Sequence, residues 1–109
     1  MPDVDQSPFA EMARIDRLIH EPSRLAILSA LLACAEADFQ FLLAATGLSK
    51  GNLSSHLSKL EAGGLVIVTK GHEGKIPWTR ARLSEEGRAR VEAHWRDLER
   101  LRGKARRWR

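Results

Sequence analysis

Cysteine is almost missing from this sequence of 109 residues: Cys34 is the only one. No disulfide can close within the chain, and that usage fits a reducing cytoplasm. No apolar run approaches the roughly 18 residues that a membrane-spanning helix needs, so no membrane partner is expected. The opening MPDVDQSPF is acidic and has no basic stretch leading into an apolar one, so no secretory leader is expected. Catalytic signatures are missing as well. There is no Ser/His/Asp set, no paired carboxylates, no P-loop and no G-x-G-x-x-G, and Gly63-Gly64 reads as a helix stop. The four histidines, His20, His56, His72 and His94, are scattered without H-x3-H spacing, and no C-x-C occurs. Without such spacing no metal is expected. These absences predict a cytoplasmic protein that is not an enzyme and carries no cofactor.

What is present is one domain's length of chain, with ordinary apolar content and a net charge of +4. The excess of positive charge permits nucleic acid or an anionic surface as partner, and its placement decides between them. The stretch from Asp38 to Leu65 settles that placement. Phe39, Leu42, Leu43 and Ala45 give a short helix its apolar stripe. Gly47 stops that helix, because glycine accepts the positive φ of a helix C-terminus at little cost. Ser49 is a good N-cap for the next helix. There Leu53, Leu57 and Leu60 recur at i, i+4 and i+7 and face inward. The opposite face carries Gly51, Asn52, Ser54, Ser55, Ser58 and Lys59, without a carboxylate. A merely solvated face mixes Glu and Lys at i, i+4; this one is Ser and Asn with Lys50 and Lys59, side chains suited to phosphates and base edges. Helix, glycine turn and polar-faced helix make a helix-turn-helix, about residues 38–63.

The flanking segments complete a pattern. Residues 1–7 read as a short lead, and Ser7-Pro8 starts a first helix with Phe9, Met12, Ala13, Ile15, Leu18 and Ile19, ending near His20. Pro22 begins a second, to about Ala35, apolar over much of its circumference and therefore central. Arg24 near its start is either solvated or engaged with a phosphate or a structural ion pair. Cys34 reads as a small core residue. Leu65 to Thr69 is a β-branched strand, Lys70 to Lys75 a glycine-bearing hairpin tip, and Ile76 to Leu83 the returning strand. Pro77 places that strand at an edge. This hairpin, about residues 65–83, is the wing, with Lys70, His72, Lys75, Arg80 and Arg82 as candidate backbone contacts.

Ser84 caps a final helix, about residues 84–109, in which Val91, Trp95, Leu98, Leu101, Ala105 and Trp108 form a coiled-coil-like seam. One small core does not easily cover so long a seam. Contact with another subunit, through Phe9, Met12, Ile15, Ile19, Val91, Trp95, Leu98, Leu101 and Trp108, is the expected cover. The basic tail from Arg100 reads as a solvated helix end, as a partner for the acidic first helix of another subunit, or as a further DNA contact.

The residues GLSKGNLSSHLSKLEAGGLV, then K-x-x-x-x-K-I-P-x-T and L-S-E-E-G-R, resemble the small winged-helix DNA-binding proteins related to the MarR and ArsR regulators. The resemblance runs from about Asp16 through Arg90. It implies a mainly α fold with a small β-hairpin (α+β), a winged helix-turn-helix with an extended C-terminal dimerisation helix. It further implies a homodimer with the recognition helix in the major groove and the wing at the flanking backbone. Ser49, Lys50, Asn52, Ser54, Ser55, His56 and Lys59 would face DNA, with His56 on the flank of the apolar face, where it either contacts DNA or braces the helix. Two departures stand out. The tip KGHEGK has no D-x-R-like pair, and the clustered cysteines and His/Asp ligands of metal-sensing relatives are not here.

The function expected is sequence-specific binding of double-stranded DNA by a homodimeric transcriptional regulator, a repressor. A winged-helix adaptor that binds protein rather than DNA is the alternative. An unknown small-molecule effector is compatible with either, lying near Trp95, Phe9 or Cys34.

Overall fold

The computed structural model describes residues 7–108. Eight elements follow one another: α1 (Pro8–Ala13), α2 (Pro22–Ala33), β1 (Ala37–Asp38), α3 (Phe39–Thr46), α4 (Lys50–Ala62), β2 (Val66–Glu73), β3 (Ile76–Leu83) and α5 (Glu85–Arg106). The first six residues of the expected lead lie outside the described residues, as does Arg109 at the end of the tail.

Local capping chemistry sets most boundaries. The Ser7 hydroxyl accepts from the Ala10 N–H at 3.0 Å and Pro8 opens α1. That helix stops at Ala13 rather than near His20. The reason lies in residues 14–20, whose backbone finds other partners: Asp16 accepts from the Leu18 N–H at 3.0 Å, and Arg24 bonds the carbonyls of Leu18 and Arg17 at 2.6 and 3.1 Å. Side-chain bonds of this kind compete with the helical ladder. Helix α2 is capped by a carboxylate, with Glu21 accepting from the N–H groups of Ser23 and Arg24 at 3.1 and 2.9 Å. It ends at Ala33, so Cys34 caps the helix in extended conformation instead of lying inside it.

The helix-turn-helix forms as its residues dictate. Asp38 caps α3 through the Phe41 N–H at 2.7 Å. Gly47 takes φ +70° and donates to the Leu43 carbonyl at 2.9 Å. Ser49 then caps α4 through the Asn52 N–H at 3.2 Å.

The sheet has three strands rather than two, in the antiparallel order β1-β3-β2. Two residues make the added strand, Ala37 opposite Ala81 and Asp38 opposite Arg80. Strand β3 is therefore central at positions 80 and 81. Pro77, paired with His72, lies beyond the reach of β1, where its missing N–H costs no ladder bond.

Ile27, Leu28 and Leu31 of α2, Leu42 of α3, Leu53, Leu57 and Leu60 of α4, Leu65, Val66 and Ala81 of the sheet and Val91 of α5 close around one core with Ile19. Each fully buried Leu or Ile contributes about 1.5–3 kcal/mol relative to exposure. Helix α5 is anchored at its start, where Ser84 accepts from the Gly87 N–H at 2.8 Å and donates to the Gly64 carbonyl at 2.7 Å. Farther on, α1 of the same chain lies along it, and Leu101 is 1% exposed. Glu11 receives Arg100 at 2.7 Å and Lys104 at 3.3 Å, so part of the basic tail meets the acidic first helix within one chain. Part of the α5 seam is thus covered without a partner. The molecule is elongated, 67 × 25 × 21 Å.

Candidate nucleic-acid interface

Helix α4 presents two faces with different chemistry. Leu53, Leu57 and Leu60 are buried at 0, 4 and 0% exposure. Ser49, Lys50, Gly51, Asn52, Ser54, Ser55, Ser58 and Lys59 are all exposed. Up to Lys59 the helix has no acidic residue, and its first turn is free of the carboxylates that ordinarily occupy a helix N-terminus. An anion approaching there meets the positive end of the helix dipole together with the exposed Lys50.

The wing stands beside that face. Lys70, His72, Lys75, Arg80 and Arg82 are exposed, but the register divides them. Lys70 pairs with Thr79 and His72 with Pro77, whereas Thr69 pairs with Arg80 and Ile67 with Arg82. Alternation along each strand therefore places Lys70 and His72 on one face and Arg80 and Arg82 on the other. A cleft of about 640 Å³ runs between α4 and the wing, lined by Ser54, Leu57, Ser58, Val68, Lys70 and Thr79 among others. Arg80 is engaged on its own face: its guanidinium lies 4.3 Å from the centroid of the Trp78 ring, and its Nε is 4.0 Å from a Glu36 carboxylate oxygen. Trp78 can lie across the hairpin because the residue opposite is Gly71, where any Cβ would collide with the indole.

His56 is half-buried on the flank of α4 and is held there. Its Nδ1 is 3.3 Å from Nη1 of Arg24 and 3.8 Å from Glu21 Oε2. Burial raises the Glu21 pKa, but the N–H groups of Arg24 and Ser23 and the neighbouring positive charge of Arg24 outweigh it. The carboxyl is held below its ordinary range. Two elements far apart in sequence are joined by these contacts, and no spacing rule identifies them.

The residues expected at a subunit contact fall into three groups. Ile19, Val91 and Leu101 are buried in their own chain; Phe9 is 51% and Trp95 40% exposed, and Phe9 meets Trp108 edge to face at 6.2 Å. Met12, Ile15 and Leu98 are half-buried. They line, with His20 and Leu101, an open cavity of about 400 Å³ between α1 and α5. No helix among the described residues is long and apolar enough to cross a membrane. Among the same residues no group of three or more His, Cys, Asp or Glu side chains is placed to hold a metal ion.

A helix-turn-helix with a polar, carboxylate-free second helix and a basic hairpin beside it defines a winged-helix DNA-binding protein of the regulator class. Residues 23–101 match the winged helix DNA-binding domain family, and the chain belongs to that family. No curated protein matches the chain. Among solved structures it is similar to a transcriptional regulator homologue from Pyrococcus horikoshii OT3, with 26% identity over 86% of this chain and 92% of that one, at a TM-score of 0.78. A MarR-family transcriptional regulator from Silicibacter pomeroyi shares the fold at 22% identity and a TM-score of 0.62, over 87% of this chain and 61% of that one. BpsR of Bordetella bronchiseptica does so at 18% identity and a TM-score of 0.69, over 88% and 72%. The fold is that of MarR-like winged-helix regulators.

Proposed function

We propose that this protein is a homodimeric repressor that binds double-stranded DNA sequence-specifically. The observation that carries the reading is the α4 face, on which eight consecutive-turn positions from Ser49 to Lys59 are exposed and none is acidic. Inserted into a major groove, Asn52 would pair with an adenine edge, serines would read either base, and Lys50 and Lys59 would neutralise phosphates. Lys70, His72 and Lys75 would follow the flanking backbone, as would Arg80 and Arg82 where their face of the wing allows. Two copies joined through the exposed side of α1 and α5 would read half-sites about 10–10.5 base pairs apart.

A small-molecule effector fits the same assembly. The structural neighbour BpsR has its DNA binding regulated by 6-hydroxynicotinic acid. In this chain a ligand of that size has space between α1 and α5, where a cleft of about 370 Å³ is lined by Ile15, Ile19, Asp16, Arg90, His94 and Leu101 among others.

The test is the molar mass in solution together with titration of mixed genomic fragments at two salt concentrations. A dimer that retains a subset of fragments at the higher salt supports the reading. A dimer that binds every fragment alike, and only at low salt, reduces it to nonspecific binding. A monomer without DNA affinity favours the protein-interaction adaptor.

A further inference from the structure

Arg24 is the best-connected side chain near the recognition helix. Its Nε donates to the Leu18 carbonyl at 2.6 Å, its Nη2 to the Arg17 carbonyl at 3.1 Å, and its Nη1 lies 3.3 Å from His56 Nδ1. Glu21 Oε2, 3.8 Å from the same Nη1, steadies the guanidinium from the other side. The side chains of Arg24 and His56 are only 13 and 17% exposed, so water competes poorly for these bonds.

A guanidinium carries donors and no acceptor. The contact with His56 is therefore a hydrogen bond only when Nδ1 is the acceptor, and the ring N–H is then at Nε2. Nε2 has no partner among the described residues, and it is not one of their buried orphaned atoms. The His56 side chain keeps 17% of its surface exposed on the flank of α4. One turn to either side along that flank stand Asn52 and Lys59, both exposed.

We propose that Arg24 is a positioning residue for DNA readout, holding His56 in the tautomer that offers a single N–H donor from Nε2 to an acceptor atom of the duplex. The proposal rests on the DNA-binding reading above. The acceptor is a phosphate oxygen or a base-edge oxygen or nitrogen, which share the chemistry of accepting one N–H bond. Without a donor at Nδ1 the two tautomers would mix, and the fraction with its lone pair on Nε2 would meet the acceptor with no proton between them.

The experiment pairs two substitutions with one spectroscopic reading. Asparagine places its amide nitrogen where Nδ1 stands, and glutamine places its own where Nε2 stands. His56→Gln is expected to keep binding to a duplex selected by the wild-type protein from a randomised pool, and His56→Asn to lose about tenfold or more. Imidazole 15N shifts in the wild-type protein are expected to show the proton on Nε2, with a mixture of tautomers in Arg24→Met, whose side chain has no donor. Circular dichroism melts exclude variants that fail to fold. A loss confined to one base pair assigns the acceptor to a base; an equal loss on all sequences, with a shallower salt dependence, assigns it to phosphate.

Binding kept by Asn and lost by Gln makes His56 a brace and overturns the proposal. Equal behaviour of the two variants does the same, as does an unchanged tautomer in Arg24→Met. A wild-type protein that selects no duplex removes the DNA-binding reading itself, a result separable from these.

Discussion

His94 Nε2 lies 3.0 Å from Nδ1 of His20, a residue 74 positions earlier in the chain. One of these nitrogens must donate and the other accept, so the bond exists only while one of the two rings keeps a free lone pair. It ties the segment between α1 and α2 to the middle of α5, beside the ion pair of Asp16 with Arg90. His94 is 6% exposed. Burial, and then the neighbouring charge of His20, hold its pKa below the ordinary 6.5, against the opposing pull of Asp16 and Asp97.

A pH dependence follows from that sign. The unfolded chain binds the His94 proton more readily than the folded one, so this part of the stability is present above about pH 6.5 and is lost as pH falls below it. Thermal melts between about pH 7 and pH 5 are expected to show a falling Tm, and His94→Gln is expected to flatten that fall. Glu11, Asp16 and Glu21, whose pKa values are lowered from 4.5, 3.8 and 4.5, lose their contribution only at more acidic pH, which separates the two effects. An undiminished slope in His94→Gln would assign the transition to another group.

The start of α5 gives a second prediction. Gly87 is buried against the backbone of Leu65, and a Cβ added to it would overlap the Leu65 carbonyl. Neither partner is a flexible side-chain end, so the overlap cannot relax cheaply. Gly87→Ala is expected to destabilise the fold by about 2–3 kcal/mol, and Ser84→Ala, which removes the cap at the same helix end, by about 1 kcal/mol. Urea titrations measure both. A Gly87→Ala variant as stable as the parent would mean that α5 can slide off the sheet at no cost.

What the sequence makes legible is what nearest neighbours decide. Ser7, Ser49 and Ser84 announce helix starts, Gly47 a helix end, and the i, i+4, i+7 leucines of α4 its inward face; the structure has each of them. The early end of α1 was not legible, because it depends on Arg24 reaching back to the carbonyls of residues 17 and 18. Nor was β1, since two residues become a strand only by meeting Ala81 and Arg80 more than forty positions away. The α4 face could be read residue by residue. The pairing of His56 with Arg24, 32 positions earlier, needed the fold.

On that face, Asn52 and Gly51 separate reading from mere approach. Asn52 is exposed with its backbone N–H already used in the Ser49 cap, which leaves its side-chain amide available. Asn52→Ala is expected to relax preference at one base pair by about 1–3 kcal/mol, measured by binding to all single-base variants of a selected site. A uniform loss would make Asn52 a backbone contact instead. Gly51 has open space around its Cβ direction, so Gly51→Ala is expected to raise stability by about 0.5–1 kcal/mol. If the same change weakens DNA binding, glycine is there to let the duplex come close.

The two sides of α5 give the last prediction, since one serves the fold and the other remains open. Leu101 is 1% exposed, whereas Trp95, on the same helix, is 40% exposed and Phe9 of the adjoining α1 is 51% exposed. Leu101→Ala is expected to cost about 2–5 kcal/mol of folding stability by leaving a cavity, with no direct effect on association. Trp95→Glu is expected to leave the helical circular dichroism unchanged and to convert a dimer to a monomer, because a charge in the middle of an apolar contact is left unpaired. Sedimentation equilibrium distinguishes the two outcomes. A monomer offers one recognition helix instead of two, so the same variant is expected to lose affinity for a two-fold symmetric site far more than for a single half-site. A Trp95→Glu protein that remains dimeric places the subunit contact elsewhere on the surface. A wild-type protein that is already monomeric would mean that the open side of α1 and α5 is not a self-association surface.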